Sequence, residues 1–388
     1  MVRMKRDLLE RISSDLDRKM VFLSGPRQAG KTTLANQIAG QSNRYPGAQV
    51  LNWDVSQDRS IIFNRSWSPS AGLVVFDELH KMKGWKPWLK GVFDGRPSHQ
   101  TYMVTGSARL DAFRQAGESL AGRYFSWRLH PVSVEEWLFS EGGTPAEALH
   151  RILERGGFPE PLLANSARDA QRWRRLYLEG LVREDVLEFS RIHEVRAMRL
   201  FVDMLRSRVG SPVSLASISR DLQVSPATLA KYLEILEALY VVFTVRPFHR
   251  NIARALLKEP KVYFYDVGMV DEKLGDGGAR FENACAAMLL RQVHQVQDEQ
   301  GRDLQLQYIR DKEGREIDFV VSENDVPLLV AEAKLTENSI SNLLASVADR
   351  FPDAKTWLVV RHLRNKEQRG SISIEPASDW LAELSAKF

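Results

Sequence analysis

Short apolar runs recur along the first part of the chain, and segments with helical spacing of apolar residues separate them. Each run has the length of a buried strand. This β/α alternation predicts a parallel sheet, which binds its ligand at the carboxyl ends of the strands. The predicted strands are Met20–Leu23, Ala48–Asp54, Leu73–Phe76 and a segment that begins at Thr101.

The loop after the first predicted strand fits the phosphate-binding pattern G-x-x-x-x-G-K-[ST]. Its two glycines allow a tight turn whose N–H groups point at a phosphate, and the following helix adds its positive end. We expect Lys31 to contact the β and γ phosphates of ATP and Thr32 to bind Mg²⁺. The predicted nucleotide-binding residues are Gly25, Pro26, Arg27, Gln28, Ala29, Gly30, Lys31, Thr32 and Thr33.

Two carboxylates follow the third predicted strand. Asp77 is placed to hold Mg²⁺, and Glu78 is placed to polarise the attacking water. Thr105 or Ser107, after the fourth strand, is a candidate sensor of the γ-phosphate, although a surface turn also explains both. Arg123 is a candidate catalytic cation that acts on a neighbouring subunit, with a solvated arginine as the alternative.

The order of several motifs carries a resemblance along essentially the whole chain. The motifs are Gly25–Thr33, Phe76–His80, Val104–Ser107, Ser119–Arg123 and Leu129–Trp137. Together they resemble the prokaryotic AAA-type ATPases that carry a C-terminal domain of unknown function. The resemblance implies an ATP site and a homo-oligomer such as a hexamer.

Composition sets further limits. The chain has 388 residues, a net charge of +4 and a pI near 9.0, which fits several domains and is compatible with nucleic acid. The single cysteine, Cys285, allows no internal disulfide and fits a cytoplasmic protein. No stretch is apolar enough to span a membrane, and residues 1–16 read as an amphipathic helix rather than a signal peptide.

Two segments offer basic residues to DNA. Residues 81–90 interleave lysines with Trp85 and Trp88, although a helix packed by its tryptophans, with a solvated basic face, explains this pattern better. Residues 211–254 read as helix, turn, helix and strand, which is the winged-helix pattern. A winged helix that serves only in packing remains the alternative. The candidate DNA contacts are Thr228, Lys231, Arg250 and Arg254.

The last part of the chain contains its own group of candidate site residues. Asp318, Glu332 and Lys334 lie on consecutive predicted strands in the D…E-x-K spacing of restriction-endonuclease-like folds, and Glu282 on a helix adds a carboxylate. Such carboxylates bind Mg²⁺, which activates water against a phosphodiester. A remnant of the site that only binds DNA or a partner is the alternative.

The sequence therefore predicts an α/β protein with three domains: an AAA-type core at 1–150, a helical and winged-helix region at 151–250, and a nuclease-like domain at 251–388. Three functions remain open. The first is an ATPase that remodels or translocates on DNA, the second is an ATP-gated Mg²⁺-dependent nuclease, and the third is a nucleotide-dependent switch that binds another protein.

Overall fold

The computed structural model describes residues 4–106, 120–181, 195–248, 258–271, 277–336 and 339–388. The chain divides into two compact units, Met1–His130 and Pro131–Phe388. Among the described residues, no helix is both long enough and apolar enough to cross a lipid bilayer.

The first unit contains the predicted parallel sheet. Its five strands lie in the order β2-β3-β4-β1-β5, and every pair is parallel. The strands are β1 (Met20–Ser24), β2 (Gln49–Asn52), β3 (Leu73–Asp77), β4 (Thr101–Thr105) and β5 (Tyr124–Arg128). β1 and β3 are buried at all five positions, as strands covered on both faces are.

In the described part of the first unit, four α-helices connect or cover these strands. They are α1 (Leu8–Leu16), α2 (Lys31–Ala39), α3 (Ser56–Asn64) and α4 (Trp85–Asp94). The core between β1, β3, β4 and α4 is rich in aromatic rings. Trp85 packs against Phe22, and Trp88 packs edge-on against Phe76. The tryptophans at 85 and 88 therefore serve in packing, which confirms the packing interpretation of that segment.

The second unit begins with helices. They are α5 (Val134–Glu141), α6 (Pro145–Arg155), α7 (Pro159–Leu162), α8 (Ala167–Gly180), α9 (Val195–Arg206), α10 (Leu215–Leu222) and α11 (Pro226–Ala238). α10 and α11 form the predicted helix–turn–helix, and the Ser225 hydroxyl caps α11 by accepting the N–H of Thr228.

An eight-stranded mixed sheet follows, in the order β12-β13-β11-β10-β9-β8-β6-β7. The α-helices described in this part are α12 (Gly278–Gln300), α13 (Asn342–Arg350) and α14 (Ala377–Ala382). The strands are β6 (Val242–Pro247), β7 (Lys261–Phe264), β8 (Leu304–Arg310), β9 (Glu316–Glu323), β10 (Val326–Lys334), β11 (Lys355–Val360), β12 (Glu367–Arg369) and β13 (Ile372–Pro376).

The sequence-based boundaries at 150 and 250 both fall inside the second unit. The strand expected to finish a winged helix, β6, pairs with β7 and β8 and so belongs to the large sheet. The division into three domains and the winged helix both stay predictions.

One buried carboxylate ties together two turns of the second unit. Asp266 Oδ1 accepts the N–H groups of Gly157 at 2.7 Å and Gly268 at 3.1 Å. Burial raises the pKa of Asp266, and the two backbone donors oppose this shift. There is no room for a side chain at position 156, since a Cβ on Gly156 would lie 2.5 Å from Asp266 Oδ2.

We expect Gly156→Ala to lower the free energy of unfolding more than Gly142→Ala. Both glycines end a helix at positive φ, 83° and 73°, so both substitutions carry backbone strain. Only the alanine at 156 meets the Asp266 carboxylate, while a Cβ at 142 meets nothing within 4 Å. Urea unfolding should show an extra loss of about 2 kcal/mol at 156. Equal losses would contradict the role given to Asp266.

Candidate functional site

Three polar side chains form a row at the carboxyl edge of the first sheet. Asn52 ends β2, Asp77 ends β3 and Thr105 ends β4, and the register pairs Asn52 with Asp77 and Asp77 with Thr105. Because parallel strands end together at one edge, the side chains meet there. The phosphate-binding loop follows β1 at the same edge.

Asp77 is the centre of this row and is only 2 % exposed. Its Oδ2 accepts the Thr32 hydroxyl at 2.8 Å and the Asn52 amide at 3.3 Å. Its Oδ1 accepts the Thr105 hydroxyl. Three donors from three different elements therefore fix the carboxylate beside the first turn of α2.

The loop from 25 to 30 has the backbone that its sequence predicts. Gly25, Gln28 and Gly30 have φ values of 142°, 60° and 96°. A Cβ at Gly25 would lie 2.3 Å from the carbonyl oxygen of Leu129, so glycine is required there. Lys31 Nζ donates to the carbonyl oxygens of Gly25 at 3.0 Å and Pro26 at 2.6 Å, which places its ammonium over the loop.

Glu78 follows Asp77 with a left-handed backbone, φ 58°, which ends the strand. Its Oε2 lies 3.5 Å from both His80 Nε2 and Lys81 Nζ. Burial raises the pKa of Glu78 above the ordinary value, and the attraction of Lys81 offsets part of the shift. Lys81 also binds Asp54, which lies two residues beyond β2.

The oxygen donors of Thr32 and Asp77 suit Mg²⁺, which prefers hard oxygen ligands. The loop N–H groups, the start of α2 and Lys31 suit a phosphate chain. Thr105, one of the two sensor candidates, lies in the site. The other, Ser107, lies outside the described residues.

Three residues of this edge were missed by sequence reasoning. Asn52 binds Asp77, although the strand was expected to end at Asp54. Arg6 donates to the carbonyl oxygens of Ala29 and His130 at 2.7 and 2.6 Å, and so braces the loop from the N-terminal segment. Arg128 ends β5 in register with Ser24. An asparagine or arginine without a motif around it gives no sequence signal.

Arg123 lies at the opposite edge of the sheet from the phosphate loop. It precedes β5, about 16 Å along the strand from Arg128. Its guanidinium forms a bidentate pair with Asp94, at 2.8 and 3.0 Å. A catalytic role for Arg123 therefore requires the site of another chain.

The second unit holds a separate acidic cluster, which consists of Glu282, Glu316, Asp318 and Glu332. Lys261 of β7 lies among the first three, with its Nζ 3.4 Å from Glu282, 2.9 Å from Glu316 and 3.3 Å from Asp318. Burial lowers the pKa of Lys261, but the carboxylates outweigh this effect and raise it, which keeps the ammonium charged. Burial and the neighbouring Asp318 raise the pKa of Glu282 to about 7.

The D…E-x-K residues lie on the neighbouring strands β9 and β10. Asp318 and Glu332 lie one residue beyond the paired Phe319 and Ala331, so the continued register sets them side by side on one face of the sheet. Glu332 contacts Lys334 at 3.4 Å and accepts the Ser341 hydroxyl at 2.9 Å. Asp318 Oδ2 accepts the N–H of Ala333. Within the described ranges, no three His, Cys, Asp or Glu side chains are arranged to hold a metal ion.

The candidate DNA contacts are only partly described. Lys231 is exposed on α11, and the Thr228 hydroxyl lies 2.8 Å from that of Ser225. Arg250 and Arg254 lie outside the described residues.

Comparison with protein families places these sites in context. Residues 17–138, which include the five-stranded parallel sheet, match the family model described as AAA domain. Residues 146–278 and 277–380 match two domains of unknown function, DUF8612 and DUF4143. The predicted boundary at 250 thus lies within the DUF8612 match.

Two relatives show how far the similarity extends. An uncharacterized protein of Mycobacterium tuberculosis is 30 % identical over 272 residues, which are 70 % of this chain and 60 % of that protein. The chain thus spans about 60 % of the length of that relative. An uncharacterized protein of Haemophilus influenzae is 22 % identical over 396 residues, covering 93 % of this chain and 94 % of the relative.

Two solved structures found by comparison match part of the chain with low TM-scores. The Thermotoga maritima RuvB Holliday junction branch migration motor is 19 % identical with a TM-score of 0.30, covering 62 % of this chain and 89 % of that one. AMPPCP-bound DnaA from Aquifex aeolicus is 13 % identical with a TM-score of 0.29, covering 60 % and 86 %. At these TM-scores the similarities carry no inference about function.

Proposed function

We propose that the first unit hydrolyses ATP. The observation that carries this proposal is the meeting of Lys31, Thr32 and Asp77 at the start of α2, with Glu78 directly after Asp77. This set contains a phosphate-binding cation, two oxygen ligands for a metal ion and a carboxylate for the attacking water.

Each residue has a separate role in the proposal. The loop N–H groups and Lys31 bind the β and γ phosphates. Thr32 and Asp77 hold Mg²⁺, which neutralises phosphate charge when it is bound. Glu78 orients the water and accepts hydrogen bonds from it. Asn52 and Thr105 keep the Asp77 carboxylate in place through the bonds described above.

We expect Lys31→Ala and Glu78→Gln each to lower ATP turnover about 100-fold or more, because each removes a group needed in the transition state. Glu78→Gln should still bind ATP, since the phosphate loop is unchanged. Turnover is measured by phosphate release and binding by a fluorescent ATP analogue. Lys83→Ala, an exposed lysine, is the control. Turnover at the unsubstituted rate in either variant would overturn the assignment.

The pKa of Glu78 predicts a pH dependence. Only the ionised carboxylate orients water, and a raised pKa means that its charge is lost at a higher pH than for an ordinary glutamate. As the pH is lowered, turnover should therefore begin to fall at a pH above about 4.3, which is the ordinary pKa of a glutamate. Lys81→Met removes an attraction that lowers this pKa, so its acid limb should lie at higher pH. Lys83→Met is the matched control, and an unmoved limb in Lys81→Met would refute the coupling.

We propose DNA as the partner that ATP turnover serves, through remodelling or translocation. Support comes from the helix–turn–helix of α10 and α11, with Lys231 exposed on the second helix, and from the basic pI of about 9.0. The single exposed lysine on α11 makes a modest electrostatic footprint, so binding should be weak and salt-dependent.

The DNA proposal is tested by the ATPase rate with duplex, single-stranded and branched DNA at two salt concentrations. We expect one DNA form to stimulate turnover, less so at high salt, and Lys231→Glu to reduce the stimulation while leaving DNA-free turnover unchanged. Glu234→Gln, on an exposed site one turn further along α11, is the control for that surface. No response to any DNA would favour the protein-binding switch instead.

We also propose that the chain acts as an oligomer in which Arg123 completes a neighbour's site. The distance of Arg123 from its own phosphate loop supports action between chains. Mixing Arg123→Ala with Lys31→Ala chains should then restore part of the turnover, because some interfaces combine the intact Lys31 of one chain with the intact Arg123 of its neighbour. A mixture that stays inactive at every ratio argues against this role.

The nuclease hypothesis remains to be tested by nicking of supercoiled DNA with Mg²⁺, in the parent protein and in Lys334→Ala. The nuclease hypothesis is favoured by Asp318 and Glu332, which lie on neighbouring strands, and by the contact of Glu332 with Lys334. The contact of Asp318 with the buried Lys261 weighs against it. Metal-dependent nicking that Lys334→Ala loses would establish the activity.

A further inference from the structure

The acidic cluster of the second unit contains a positive charge that the D…E-x-K pattern does not include. Lys261 is 1 % exposed, yet its side chain ends between three carboxylates. A buried ammonium is costly unless anions surround it. The ring of Tyr308 lies 5.4 Å from the same Nζ and adds a cation–π contact.

The distances around Lys261 are those of an ammonium site. Its three oxygen neighbours lie 2.9–3.4 Å from Nζ. A Mg²⁺ ion needs oxygens at about 2.0–2.1 Å and a Ca²⁺ ion at about 2.3–2.6 Å. The carboxylates would have to move inwards, and Lys261 would have to leave, before a metal ion could take this place.

Other donors also contact the carboxylates of the cluster. Glu316 pairs through Oε1 with Arg310 at 3.3 Å, and Tyr263 donates to Glu282 at 2.6 Å. Asp318 Oδ2 accepts a backbone N–H, and Glu332 is held by Lys334 and Ser341. Four carboxylates thus face three cations, Lys261, Arg310 and Lys334, which leaves little negative charge to attract a divalent ion.

The partners of Lys261 come from different elements. Glu282 belongs to α12, Glu316 and Asp318 to β9, and Lys261 itself to β7. The residues before Lys261 make further ties, because Val213 N donates to Pro260 O and Tyr308 Oη donates to Glu259 O. We propose that Lys261 is the built-in cation of this cluster, takes the place of a divalent metal ion, and makes the cluster a structural joint between β7, α12 and β9.

The test measures metal binding and thermal stability in the full chain. Mn²⁺ is titrated without nucleotide in an Asp77→Asn background, which removes the metal ligand of the first unit, and free Mn²⁺ is read by electron paramagnetic resonance. We expect the Asp77→Asn protein to bind no Mn²⁺ that is lost when Asp318→Asn or Glu332→Gln is added. Lys261→Ala, which opens the cluster, should gain about one Mn²⁺ per chain, and adding Asp318→Asn should abolish it.

Stability gives an independent readout. Lys261→Ala leaves three partly buried carboxylates without their cation, so Tm should fall by about 10 °C and recover in part with Mn²⁺. EDTA should not change the Tm of the Asp77→Asn parent. Lys366→Ala is the matched control, since Lys366 pairs with Glu375 and Glu383 but is 46 % exposed, and it should change Tm little and gain no metal.

Two outcomes would overturn the proposal. One is Mn²⁺ binding in the Asp77→Asn parent that is lost with Asp318→Asn or Glu332→Gln, and the other is an unchanged Tm in Lys261→Ala. If Lys261→Ala does not fold, the titration of the parent still decides. None of these measurements depends on ATP hydrolysis, so the proposal and the proposed ATPase function can fail separately.

Discussion

The first unit depends on one constraint, the shared ending of its parallel strands. Because β2, β3 and β4 are in register, Asn52 and Thr105 reach the same edge as Asp77 and can both donate to its carboxylate. The loop after β1 then delivers Thr32 to that carboxylate. If one of these strands slipped by a single residue, its side chain would turn to the other face of the sheet and the network would be lost.

Much of this unit was predictable because its signals are local. A glycine-bounded loop before a helix, and an apolar run before Asp77 and Glu78, can be read without knowing what lies near them in space. β5 was not predicted, since Tyr124–Arg128 is only half-buried and lacks an apolar run. Asn52 and Arg6 were missed for a related reason. Their partners are distant in sequence, and neither residue type marks a site by itself.

The second unit shows the same division between local and long-range information. The order of helix and strands from 278 to 360 and the opposition of Asp318 and Glu332 followed from apolar runs and strand periodicity. The position of Lys261 within the cluster could not be predicted in this way, because a lysine at the start of a strand usually points to solvent. Its partner Asp318 is 57 residues away. The charge balance of a buried cluster is a property of the tertiary fold, so a motif can predict the carboxylates without predicting their cation.

The contact of Arg6 with the phosphate loop has a practical consequence. The AAA match begins at residue 17, after α1, so a fragment cut to that match would keep every motif residue of the nucleotide site. It would nevertheless lose the guanidinium that holds the carbonyl oxygens of Ala29 and His130. The boundary of the family match therefore leaves out a residue that contacts the phosphate loop. Weak nucleotide binding or slow hydrolysis by such a fragment would reflect the loss of Arg6 rather than a defect in the motif residues.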